Sequence, residues 1–157
     1  MHRIRSNIQK IIERAEQQCQ TNGARLTNKR KQVLLGLLHS SKALSAYELT
    51  NYCKTEFNEP IPAMSVYRIL SFFEDNQLVH KLNLANKYIP CAHITCDHVH
   101  GIPQFLICGQ CQRVKEISIS ETTINELKDH VTQAGFRLMN PQLEMNCICE
   151  ECRVNAV

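Results

Sequence analysis

Residues 45–90 read SAYELTNYCKTEFNEPIPAMSVYRILSFFEDNQLVHKLNLANKYIP, and this stretch decides the fold. Ser45 followed by Glu48 forms a capping box, in which each residue satisfies a backbone N–H of the other's turn. It opens a helix through Leu49, Tyr52 and Cys53. Asn58 to Pro62 then breaks the chain, because Pro60 and Pro62 cannot sit inside a helix. A further helix follows, with Val66, Ile69, Leu70 and Phe73 at the spacing of one apolar face. After Asn76 the period changes. LVHKLNLANKYIP sets β-type residues around an Asn-rich turn, the pattern of a hairpin.

Upstream, Ile4, Ile8, Ile11, Ile12 and Ala15 recur at helical spacing. Thr27 is positioned to cap a second helix whose apolar face is Val33, Leu34, Leu37 and Leu38. Helices followed by a hairpin in this order predict a winged helix-turn-helix. In that motif the last helix lies in the major groove and the hairpin contacts backbone or minor groove. Ser65, Tyr67 and Arg68 lie off the inward stripe of this last helix, near the N-terminal end that reaches bases. Arg can bridge two acceptors on guanine, and Tyr can contact a phosphate or a thymine methyl. The competing reading is a generic helical bundle with a surface arginine.

Downstream, IPQFLIC and RVKEISIS read as two strands around a CGQC turn. Ser120 caps a helix with Ile124, Leu127, Val131 and Ala134 on its apolar side, and Gly135 ends it in the left-handed conformation. FRLMNPQLEMNCIC reads as a returning strand. The fold class is therefore α+β: an N-terminal winged-helix DNA-binding domain over residues 1–88, then a small zinc-binding α/β dimerisation domain over 89–157. Charge divides in the same sense. Residues 1–90 hold thirteen Lys and Arg against seven Asp and Glu, whereas 91–157 hold five against eight. A basic half suits a polyanion such as DNA, although ordinary surface asymmetry gives the same counts.

Seven of the nine cysteines lie at or beyond residue 91. The odd count and the charged N-terminus, which lacks an apolar secretory core, argue against a secreted disulfide scaffold. A cytoplasmic location is expected, and no apolar run is long enough to span a membrane. The strongest chemical signal is a pair of C-x-x-C motifs, Cys108–Cys111 and Cys149–Cys152. Each makes a tight turn that aims two sulfurs at one ion. Two such turns make a closed tetrahedral thiolate site, the chemistry of structural zinc. Free thiols or a single redox C-x-x-C are the alternatives, and Cys147 is a spare thiol beside the second pair. A second set comprises His80, Cys91, His93, Cys96, Asp97, His98, His100 and Glu116. One thiolate mixed with imidazoles and a carboxylate also suits zinc. Because His80 belongs to the hairpin and Glu116 to the second half, such a site would straddle the boundary, as a metal-operated switch requires.

The segments RLTNKRKQVL, SAYEL, SVYRIL, VHK, NKYIPC, FLICGQCQRVKE and CEEC, in this order and spacing, resemble the ferric uptake regulator family from about Arg25 to Cys152. The chain looks most like the zinc-sensing branch, because Cys91 stands where the iron branch uses only His and carboxylate oxygens. The resemblance implies a homodimer that binds a double-stranded DNA operator when zinc-loaded and represses metal-acquisition genes. No membrane and no small-molecule substrate are expected. By resemblance Tyr47, Tyr67 and Arg68 contact DNA, and Ser65 and Arg25, at the head of RLTNKRKQVL, join them. Cys108, Cys111, Cys149 and Cys152 hold structural zinc. His80, Cys91 and Glu116 hold regulatory zinc, for about two zinc ions per chain. The stretch CAHITCDHVHGIPQFLIC is longer than the family pattern. His100 is taken as the fourth regulatory ligand because it keeps its spacing to Phe105, with His98 second; His93, Cys96 and Asp97 form another site or none. The alternatives to a zinc-responsive repressor are an iron-, manganese- or peroxide-responsive sibling, or a zinc enzyme. No H-E-x-x-H or comparable hydrolase motif supports the enzyme.

Overall fold

The computed structural model describes residues 2–96 and 101–155, with the backbone alone for residues 2–6. The chain divides into two compact units, Met1–Cys96 and Asp97–Val157.

The first unit opens with helix α1 (His2–Thr21). Ile12, Ala15 and Cys19 bury its inner face; the Ile4 side chain lies outside the described residues. Gly23, at φ 73°, ends the turn beyond α1, where Ala24 N–H reaches back to the Cys19 carbonyl at 2.8 Å. Thr27 then caps α2 (Asn28–His39) by accepting from Arg30 N–H. The Ser45–Glu48 capping box opens α3 (Ala46–Phe57), and Asn58 closes it in the left-handed region. Helix α4 (Ala63–Asp75) follows the two prolines. Val33, Leu34, Leu37, Leu49, Cys53, Val66, Leu70 and Phe73 are fully buried in one cluster, which also takes in Ile94. Residues 89–96, assigned to the second domain by sequence, thus pack with the first because Ile94 and Cys91 complete its core.

Strands β1 (Val79–Leu82) and β2 (Lys87–Pro90) form the hairpin, with Val79 opposite Pro90 and His80 opposite Ile89. Leu44, just before α3, exchanges both backbone hydrogen bonds with Tyr88, at 2.9 and 2.8 Å. This adds a third short segment beside the wing and ties it to the helix-turn-helix.

The second unit is a three-stranded mixed sheet in the order β4-β3-β5. Strand β3 (Pro103–Cys108) runs antiparallel to β4 (Val114–Ser118) and parallel to β5 (Glu144–Cys147). Between them lies α5 (Glu121–Gln133), capped by Ser120, which accepts from Thr123 N–H; Gly135 has φ 83°. The sequence-based expectation of a strand through 136–149 is corrected: only Glu144–Cys147 is strand. Pro141 has no N–H to give a ladder, and the buried Gln104 side chain takes over. Its amide donates to the Pro141 carbonyl at 2.9 Å and its carbonyl accepts from Leu143 N–H. A short helix, α6 (Glu150–Asn155), ends the described chain. Among the described residues no helix is long and apolar enough to cross a membrane.

Candidate metal centre and nucleic-acid face

The two C-x-x-C turns converge within the second unit. Cys108 ends β3, and a reverse turn follows in which Gln112 N–H bonds the Cys108 carbonyl and Cys108 N–H bonds the Arg113 carbonyl, both at 2.9 Å. Gln112 takes φ 62° to close it. Gly109 N–H bonds the Cys147 carbonyl, which aligns this turn with the end of β5. Cys149 immediately precedes α6, and Cys152 lies in its first turn. The Arg113–Glu151 ion pair, at 2.8 Å, joins the two turns across the surface.

The sulfurs of Cys108, Cys111, Cys149 and Cys152 all lie within 4.8 Å of one another. Cys111 and Cys149 sulfurs are 3.7 Å apart. Tetrahedral zinc with bonds of about 2.3 Å places its sulfurs about 3.8 Å apart, so the donor set and its spacing fit that ion. The backbone also serves the site. N–H groups of Cys111 and Cys149 hold the Cys108 thiol down at about 6, the Cys149 contact being 3.4 Å. Cys152 is pushed up to about 12 by its hydrogen bond to Cys149, by burial and by the other sulfurs. Four crowded thiols do not all ionise unaided, so metal uptake has to release protons. Cys147, the register partner of Cys108, stands outside this group. Cys19 and Cys53 are core residues whose thiols are pushed up by burial.

Of the second expected set, His80 sits on β1 and Cys91 follows β2, with Cys91 N–H bonded to the Leu78 carbonyl at 2.9 Å. The hairpin brings their ligand atoms within 4.8 Å of each other. Glu116 is half-buried on β4 of the second unit, opposite Phe105. His93 and Cys96 are half-buried in the turn region after Cys91. Asp97, His98 and His100 lie outside the described residues.

The first unit gathers the expected DNA contacts. Tyr47, on the first turn of α3, is 69% exposed and meets Tyr67 of α4 edge to face, ring centroids 6.4 Å apart. Arg68 is exposed, and Ser65 is half-buried on the first turn of α4. No side chain caps that turn; Ser65 and Val66 N–H groups both return to the Pro62 carbonyl. With Ser65 N–H paired inside the turn, Ala63 and Met64 carry the N–H groups left at the positive end of α4 for a phosphate oxygen. Arg25 is exposed in the loop before α2. Sequence reasoning missed how that loop is held. Arg30 donates to the Arg25 carbonyl at 2.5 Å and lays its guanidinium 3.6 Å from the centre of the Phe72 ring. One arginine therefore fastens the Arg25 loop to α4. The spacing of Arg30 from Phe72 in sequence carried no signal of it.

A wing, an arginine-bearing helix with an open N-terminus and a four-thiolate unit define a metal-dependent DNA-binding regulator. The ferric uptake regulator family matches residues 21–146, and the chain belongs to that family. The zinc uptake regulation protein of Escherichia coli (strain K12) is 29% identical over 148 residues, covering 94% of this chain and 84% of that protein. The peroxide operon regulator of Bacillus subtilis (strain 168) is 26% identical over 131 residues, covering 83% and 85%. Among solved structures, a zinc uptake regulator complexed with zinc and DNA is 28% identical. It aligns with a TM-score of 0.80 over 96% of this chain and 98% of the other.

Proposed function

We propose that the chain is a zinc-responsive transcriptional repressor, acting in the cytoplasm as a regulator and not as an enzyme. As a zinc-loaded homodimer it binds a double-stranded DNA operator and silences metal-uptake genes, chiefly those for zinc. The observation that carries the choice of metal is the pairing of the Cys91 thiol with the His80 imidazole across the wing. A thiolate beside imidazole favours zinc over the harder ions that prefer oxygen donors.

In this reading Cys108, Cys111, Cys149 and Cys152 would hold a permanent structural zinc. His80, Cys91, His100 and Glu116 would hold the regulatory one. When bound, zinc supplies four directed bonds and positive charge, without redox chemistry. The remaining work belongs to the chain. Tyr67 and Arg68 enter the major groove from α4, with Arg68 bridging guanine acceptors. Tyr47, Ser65 and Arg25 position the helix against the backbone. His80 and Cys91 flank the same hairpin that Leu44 and Tyr88 fasten to α3, so a ligand gripping the wing acts close to the reading face. Two copies set the spacing of two half-sites.

The test is operator binding by the full chain after mild chelation, with zinc, iron or manganese returned. Zinc alone should restore tight binding at low free concentration. Equal restoration by iron or manganese would leave the family and overturn the zinc assignment. Binding indifferent to every metal would overturn the switch.

A further inference from the structure

Among the described residues of the first unit, three large apolar side chains are exposed: Tyr47, Met64 and Leu84, at 69%, 67% and 86%. Tyr47 is already placed at the nucleic-acid face, and Leu84 lies in the wing turn between β1 and β2. Met64 is the second residue of α4. Tyr67 and Arg68 follow it at i+3 and i+4, so the three side chains share one helix face. The opposite face is the core stripe of Val66, Leu70 and Phe73, each fully buried. Met64 is therefore not part of the packing of α4. Pro60 and Pro62 stiffen the approach to it, and the uncapped positive end of the helix surrounds it.

We propose that Met64 is a specificity-determining residue whose thioether packs on the C5-methyl of a thymine in each operator half-site. This rests on the DNA-binding reading above. Four base pairs present hydrogen-bonding groups in the major groove, and thymine alone adds a methyl. Methionine has no donor and only a weakly accepting sulfur, so a methyl is the feature it can distinguish. Its unbranched chain adapts to the contact without a fixed rotamer. The N-terminal turn is the part of a recognition helix that reaches base edges. Met64 and Arg68 are about 6 Å apart along the helix, close to two base-pair steps of about 3.4 Å. The thymine accordingly lies within about two base pairs of the guanine held by Arg68.

The zinc-loaded full chain is used to select duplexes from a randomised pool. The selected duplex is then resynthesised with each thymine in turn replaced by deoxyuridine, which removes only the methyl. For the unaltered chain, one replacement per half-site should weaken binding about fourfold, the worth of one buried methyl-sized group. Met64→Ala should bind with ordinary zinc content and be indifferent to that replacement. Met64→Leu should keep most of the sensitivity. The proposal is overturned if no thymine is sensitive, or if every sensitive thymine stays sensitive in Met64→Ala. Failure to select any duplex with zinc present would instead bring down the DNA-binding reading, and this proposal with it.

Discussion

The two units solve the problem of stability in opposite ways. The first buries a continuous apolar cluster drawn from all four helices and the wing, from Ile12 to Ile94. In the second, the described buried residues are Gln104, Phe105, Cys108 and Ile124, while Phe136, Met139, Ile148 and Val154 stand exposed. Half-buried Leu127 and Val131 leave α5 with one covered apolar position, Ile124. A unit with so little core needs other support. The four-cysteine cluster would supply a cross-link within the unit when it holds zinc. The exposed apolar residues suit association with a second copy, in keeping with the proposed homodimer. In the proposed reading metal and partner would stabilise one unit, whereas packing stabilises the other.

The largest effect should follow removal of the thiolate site. Structural zinc in small domains is worth roughly 10 kcal/mol or more. Cys149→Ser, or a strong chelator, should therefore unfold the second unit and leave the first folded, as hydrogen exchange read separately over residues 2–96 and 101–155 would show. Unfolding of both together would break the contrast. Acid should act in the same direction. Protons compete for the sulfurs, so zinc retention falls as pH falls. Among these sulfurs Cys108 is held down at about 6 by the N–H groups of Cys111 and Cys149. Zinc release followed with a chromogenic chelator checks the sign.

Next in size is Phe73→Ala in the packed core of the first unit, expected to cost about 3–5 kcal/mol. It should lower the denaturation midpoint of the first unit without loss of zinc from the four cysteines. Arg68→Ala comes third. It should weaken operator binding by about 1–3 kcal/mol with folding and zinc content unchanged, by fluorescence anisotropy.

The smallest effect concerns Glu48. Burial raises its carboxyl, but the Ser45 N–H and Lys87 outweigh this and leave it below the usual range. A depressed carboxylate stabilises above its unfolded-state value, and that stability is lost as pH falls through the folded-state value. Both partners are well exposed, so the ion pair adds little. Glu48→Gln keeps an amide oxygen that can accept from Ser45 N–H and loses only the charge, so it is expected to cost less than about 1 kcal/mol. Thermal unfolding of this variant should show a weaker pH dependence between neutral and acid conditions.

Most of the first unit was legible because its signals are local. Ser45 and Glu48 mark a helix start four residues wide, Pro60 and Pro62 mark a break, and the apolar stripes repeat every turn. The cysteine pairs were legible for a similar reason, each being a single turn of chain, and the structure brings the two turns together. What escaped was non-local. The Leu44–Tyr88 pairing and the Arg30 stack on Phe72 join segments dozens of residues apart. Strand β5 came out shorter than its apolar pattern because a buried glutamine on β3 captured the chain before it. Met64 was passed over because helical periodicity marks the buried face and is silent on an apolar residue facing outward. The long stretch after Cys91 gave several ligand types and no spacing to choose among them.

A stepwise zinc titration of the metal-free full chain, with folding of the second unit and operator binding read in the same samples, tests the division of labour most directly. The first equivalent should fold the second unit without conferring operator binding. The second equivalent should switch binding on, and Cys91→Ser should lose the second step alone. Operator binding that rises with the first equivalent, or a Cys91→Ser chain that responds to zinc as fully as the unaltered one, would contradict it.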